Sequence, residues 1–94
     1  MTAIPRLLIV DDNARVRRTI REIVTALGAV VEECSDGDEV LGCFEAFHPD
    51  VVLMDIRMAR VDGIAAAIAL RAVHPAARVI AVIVSSDPST SRPR

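Results

Sequence analysis

The sequence predicts an α/β domain with a parallel sheet, on three observations. Continuous apolar runs of strand length recur along the chain, and helical stretches separated by short connections alternate with them. Two of the runs stop abruptly at aspartates, as strands that open onto a site do.

The first run, Leu7-Leu8-Ile9-Val10, suits a central strand buried on both faces, and it ends at Asp11-Asp12. Asn13 is a good N-cap for the helix that follows. Val16, Ile20, Ile23, Val24 and Leu27 repeat there at helical spacing, with Arg15, Arg17, Arg18 and Arg21 on the other side, and Gly28 closes it. Ala29 to Cys34 reads as a second strand. Asp36 and Glu39 resemble a capping pair for a helix whose apolar face is Val40, Leu41, Phe44 and Phe47, ended by Pro49. Val51-Val52-Leu53-Met54 is a third strand ending in Asp55. Beyond the loop to Asp62-Gly63, the Ala-rich segment Ile64 to Val73 is helical and Pro75 stops it. Val79 to Val84 is a fourth strand. The order is β-α-β-α-β-α-β, with residues 1–84 as one domain and 85–94, rich in Ser, Thr, Pro and Arg, as a loose tail.

Composition narrows the function. With 94 residues the chain makes one small domain, and 52% hydrophobic residues favour a packed core with some apolar surface left for a partner. A net charge of −2 gives no pull toward nucleic acid or membrane, and the aromatics Phe44 and Phe47 are too few for base stacking. Cys34 and Cys43 lack the spacing of a zinc site or a disulfide scaffold and are expected to be ordinary thiols. No run approaches the ~20 apolar residues of a membrane span, and no secretory leader pattern opens the chain. A soluble, cytoplasmic protein is expected.

In an open parallel sheet, ligands bind outside the carboxyl ends of strands where the strand order reverses. If the first and third strands flank that reversal, Asp11, Asp12 and Asp55 converge. Three carboxylates that close repel one another unless a cation sits among them, and Mg²⁺, a hard ion for oxygen ligands, suits the set. Such a pocket can carry phosphoryl transfer to a carboxylate nucleophile.

Leu8-Ile9-Val10-Asp11-Asp12-Asn13, Val51-Val52-Leu53-Met54-Asp55-Ile56-Arg57-Met58 and Asp62-Gly63 together resemble the motifs of response-regulator receiver domains of two-component systems, of the chemotaxis-regulator kind, over about Arg6 to Val84. The resemblance implies a flavodoxin-like, three-layer α/β/α fold with sheet order 2-1-3-4-5, here shortened to about four strands and three helices. It implies that Asp55 accepts phosphoryl from a histidine kinase or phosphotransfer protein. It further implies that Asp12, Asp55 and the backbone carbonyl of Arg57 bind Mg²⁺, with Asp11 helping through water. Such a domain is a phosphoacceptor and not an enzyme, at most assisting its own phosphorylation and dephosphorylation.

The chain also departs from that pattern. It is read as ending after the fourth strand. Its eleven basic residues are all Arg, so the Lys that normally contacts the phosphoryl group has no equivalent. The phosphate-sensing Ser or Thr position falls on Ile83, and Ser85, two residues on and on the same face, is the substitute candidate. Ala59 and Arg60 stand where Pro and Gly are usual. An exposed fourth strand, an open sheet face beside the first helix and an apolar outer side of Ile64 to Val73 lead us to expect a homodimer. The Arg15 to Arg21 face is a docking surface for a kinase or, more plainly, a solvated helix face. Two readings follow: a magnesium-dependent signalling receiver phosphorylated at Asp55, or a degenerate receiver that scaffolds or oligomerises without phosphate. A magnesium phosphatase on a similar sheet is disfavoured, because Arg57 occupies the position of its second acid.

Overall fold

The structure, a computed structural model, describes residues 4–58 and 62–82. Along the chain it places β1 (Arg6–Val10), α1 (Ala14–Ala26), β2 (Val30–Cys34), a 3₁₀ turn (Gly37–Glu39), α2 (Val40–Phe47), β3 (Val51–Asp55), α3 (Gly63–Val73) and β4 (Val79–Val82). The four strands form one parallel sheet in the order β2-β1-β3-β4, the flavodoxin-like arrangement expected from the sequence. The order reverses between β1 and β3. Right-handed crossovers on opposite sides of that reversal put α1 on one face and α2 and α3 on the other.

The central strands are apolar from Leu7 to Val10 and from Val51 to Met54 because both of their faces are covered. Leu8, Val10, Val52 and Met54 point to the side of α2 and α3, where Cys34, Val40, Ala66 and Leu70 complete a buried cluster. Each such fully buried aliphatic side chain contributes about 1.5–3 kcal/mol. Ile9 alternates onto the α1 face and is equally buried. Burial raises the Cys34 thiol to about 12, with nearby Cys43 adding to the effect against the lowering Asp36 backbone contact. Cys34 is buried and Cys43 half-buried, the placement expected of ordinary thiols.

The opposite face is thinner. Val16, Ile20 and Val24 of α1 are half-buried, but Ile23 is exposed and Leu27, at the C-cap, is 80% exposed. The periodicity had placed both inward. An apolar stripe marks the side a helix offers, and its burial depends on how much sheet lies beneath. Gly28 does close the helix, at φ 98°, a left-handed conformation open to glycine. Leu41 is likewise exposed, and Cys43 packs against the core in its stead. Asp36 caps the 3₁₀ turn through Asp38 N–H at 3.0 Å, and α2 starts only after it.

Asn13 caps α1 as expected, its Oδ1 accepting from Arg15 N–H at 2.9 Å and Val16 N–H at 3.2 Å. Asn13→Ala should therefore cost about 1 kcal/mol and lower Tm by roughly 4–8 °C, measured by thermal unfolding against wild type. Of the fourth strand predicted over Val79 to Val84, the described part is Val79–Val82. Ala59, Arg60, Ile83, Val84, Ser85 and the 85–94 tail lie outside the described residues.

Candidate functional site

The register places the site. Val10 on β1 pairs with Met54 on β3, so Asp11, just past β1, and Asp55, the last residue of β3, stand side by side at the carboxyl end of the sheet. This is the reversal point of the strand order. One carboxylate oxygen from each of Asp11, Asp12 and Asp55 falls within 4.8 Å of the others. The three acids singled out from the sequence are thus brought together. Asp11 is 2% exposed and Asp55 6%, while Asp12 faces solvent.

The two buried carboxylates are pinned in the same way. Asp11 Oδ1 accepts the N–H of Asn13 at 2.8 Å, and Asp55 Oδ1 accepts the N–H of Arg57 at 2.9 Å. In each, an aspartate at a strand end turns the chain by bonding the backbone two residues on. That turn fixes one oxygen of each carboxylate. The side chain of Arg57 is exposed.

Burial raises the pKa of Asp11 above the usual carboxylate value. The charges of Asp55 and Asp12 and the side-chain contact with Asp55 act in the same direction, against the lowering effect of the Asn13 N–H. The pocket thus concentrates negative charge that its own backbone donors only partly offset. The donor set is all carboxylate oxygen and the field is negative, which fits a hard divalent cation such as Mg²⁺ and disfavours softer ions that want His or Cys.

Gly63 explains the closeness of α3 to this pocket. A Cβ there would overlap the Asp55 carbonyl oxygen and lie 2.5 Å from Ile56 Cα. The bare glycine lets the first turn of α3, capped by Asp62 Oδ1 on Ile64 N–H at 2.8 Å, close over the end of β3.

Sequence reasoning missed two residues. Arg17 was assigned to the solvated face of the first helix, yet its Nη1 donates to the backbone oxygen of Asp11 at 2.7 Å and its Nε to Glu33 Oε1 at 3.0 Å. Arg21 holds the other Glu33 oxygen at 2.8 Å. The signal was present: Glu33 shares the half-buried, α1-facing side of β2 with Val31, and a charged side chain there calls for a cation.

The Arg21 bond, with Arg17 assisting, holds the Glu33 carboxyl below the ordinary glutamate value of 4.5, against the opposing effect of burial. A depressed carboxyl pKa adds stability that is present above the unfolded-state value and is lost as pH falls through the folded-state one. Glu33→Gln should accordingly cost about 0.5–1 kcal/mol at neutral pH, and the gap should shrink below the unfolded value, as read by urea unfolding at several pH values.

Comparison with known proteins bears on this geometry. The response regulator receiver domain family model matches residues 7–92. The chain is 48% identical over 66 residues to the regulatory protein AtoC of Escherichia coli, covering 70% of this chain and 14% of that protein. It is 37% identical over 76 residues to the chemotaxis protein CheY of Thermotoga maritima, covering 80% of this chain and 63% of that protein. Among solved structures, the response regulator TrrA of Thermotoga maritima, in complex with Mg²⁺-BeF, superposes with a TM-score of 0.82 at 26% identity, covering 94% of this chain and 76% of that one. The chain therefore spans less than two thirds of these curated relatives. No helix among the described residues is long and apolar enough to cross a membrane.

Proposed function

The chain belongs to the response regulator receiver domain family, and from that premise we propose that it accepts a phosphoryl group on Asp55 from a histidine kinase or phosphotransfer protein, with Mg²⁺ in the pocket. The observation that carries the reading is the convergence of Asp11, Asp12 and Asp55 within 4.8 Å at the reversal of the sheet. Asp12 and Asp55 would hold the ion directly, with the backbone carbonyl of Arg57, and Asp11 through water. The ion supplies positive charge against the phosphoryl oxygens and relieves the repulsion among the acids.

In the transfer, the Asp55 carboxylate oxygen that is not held by Arg57 N–H attacks phosphorus. The new P–O bond forms as the bond to the donor's oxygen or imidazole nitrogen breaks, and the donor departs with that electron pair. The Arg57 N–H keeps the carboxylate plane fixed through the step. The protein acts here as an acceptor, at most assisting its own phosphorylation and dephosphorylation, and signals from the cytoplasm through protein contact without nucleic acid or membrane. The test is exposure to acetyl phosphate with Mg²⁺ followed by intact mass. A gain of one phosphoryl mass that EDTA prevents is expected. No gain in folded protein would leave the alternative, a receiver-shaped scaffold.

The reading includes a homodimer. The outward arc of α3 carries Ile64, 53% exposed, and Ile68, 66% exposed, beside the small exposed residues Ala65, Ala69 and Ala72. Between α3 and β4 runs an open groove of about 590 Å³ whose lining includes Met54, Ile64, Ile68, Arg71 and Val79. A second copy suits this face because the face complements itself. An antiparallel α3–α3 contact about a two-fold axis can set Ile64 against Ala69, Ile68 against Ala65, and Arg71 against Asp62. Sedimentation at micromolar concentration should show a dimer that Ile68→Asp dissociates. A monomeric wild type would refute the contact without touching the phosphoacceptor reading.

A further inference from the structure

We propose that Arg17 and Glu33 form a positioning clamp that sets the Asp11-Asp12 turn in its metal-binding geometry; the inference rests on the magnesium reading of the acid pocket. Arg17 lies in the first turns of α1 with its side chain only 16% exposed, and it bridges two elements. Its Nη1 donates to the Asp11 carbonyl at 2.7 Å and its Nε to Glu33 at 3.0 Å, while Arg21 at 2.8 Å keeps Glu33 in place from the other side.

The Asp11 carbonyl belongs to the peptide unit that joins Asp11 to Asp12. That unit is planar, so fixing its oxygen fixes the direction in which the Asp12 Cα leaves. One charged donor on this oxygen therefore orients both acids at once. Asp11 is also held by its N–H, which donates to the Cys34 carbonyl at 3.0 Å, by its Oδ1, which accepts from Asn13 at 2.8 Å, and by a side-chain contact with Asp55. The Asn13 bond closes the turn around the Asp11–Asp12 peptide, and Arg17 holds the oxygen of that peptide directly, through a bond of the charge-assisted kind, stronger than a neutral one.

The chemistry requires arginine. The guanidinium offers rigidly spaced N–H groups, so Nε can hold Glu33 while Nη1 holds the carbonyl. A lysine has the charge but no second arm in fixed geometry. Arg17 touches neither the cation nor the phosphoryl group in this scheme and acts through the turn it holds.

The test is Mg²⁺ titration by calorimetry on the metal-free protein, with Arg17→Met, Arg17→Lys, Glu33→Gln and the exposed-site control Arg18→Met, each checked for native fold by circular dichroism. Arg17→Met should weaken Mg²⁺ binding about 10–100-fold, the usual effect of removing an outer support of a metal site. Arg17→Lys should recover part of that loss, Glu33→Gln should fall between, and Arg18→Met should match wild type. A purely structural Arg17 would lower Tm and leave the affinity of the folded protein alone, so a folded Arg17→Met within twofold of wild type overturns the clamp. If Arg17→Met does not fold, an Arg17→Lys protein with unchanged affinity overturns it equally. A wild type that binds no Mg²⁺ overturns the magnesium reading, and the clamp with it.

Discussion

Asp55→Asn is expected to abolish phosphoryl uptake from acetyl phosphate and yet leave the metal-free protein as stable as wild type, or more so. The loss follows from chemistry, because an amide lacks the nucleophilic oxygen that forms the aspartyl phosphate. The retained fold follows from geometry. The amide oxygen of Asn can still accept the Arg57 N–H that Asp55 Oδ1 now accepts at 2.9 Å, so the turn after β3 survives. The gain in stability follows from charge. Two unit charges within 4.8 Å of each other repel by at least about 3 kcal/mol at an effective dielectric constant of 20. Solvent around the exposed Asp12 brings the expected relief to roughly 1 kcal/mol. Mg²⁺ binding should weaken in the same variant, since a ligand is lost. Intact mass, Tm without metal and a magnesium titration read the three effects. A variant that loses uptake only because it unfolds would undo the argument, as would uptake that persists at another residue.

This pairing of charge and geometry was largely legible in the sequence. Leu7 to Val10 and Val51 to Met54 are apolar at consecutive positions, which only a strand covered on both faces tolerates, and parallel strands of that kind bring their ends together at a reversal. If the first and third strands flank that reversal, as the resemblance to receiver domains implied, Asp11, Asp12 and Asp55 meet. What stayed hidden depended on distances between elements. Ile23 and Leu27 sit on the apolar stripe of α1, but no periodicity tells how far the sheet extends beneath a helix. Arg17 looks like its neighbours Arg15 and Arg18 in one dimension. Only the packing of α1 against β2 brings it beside Glu33 and the Asp11 carbonyl. Gly63 was recognised as part of a motif without its reason, which is the approach of one backbone to another.

That approach makes Gly63→Ala the substitution with the largest expected effect on stability. The added Cβ would overlap the Asp55 carbonyl oxygen, with Ile56 Cα at 2.5 Å and the Asp55 carbonyl carbon at 3.0 Å. All three are backbone atoms, so no flexible side chain can swing aside. Alanine is the better helix former, and at an open position the exchange would favour α3 by up to about 1 kcal/mol. The overlap opposes that gain with a strain of about 1–3 kcal/mol or more, because the helix must retreat from the sheet and lift Ala66 and Leu70 out of the core they help fill. A net fall in Tm of roughly 10 °C is expected by thermal unfolding. The displaced atom is the carbonyl of the phosphoacceptor itself, so the folded fraction of Gly63→Ala should also take up phosphoryl more slowly than wild type. Gly42 provides the contrast, since a Cβ there meets no atom within 4 Å. Gly42→Ala in α2 should leave uptake unchanged and stabilise the protein slightly. If the two glycine variants behave alike, close packing of α3 on Asp55 is not what the glycine at 63 secures.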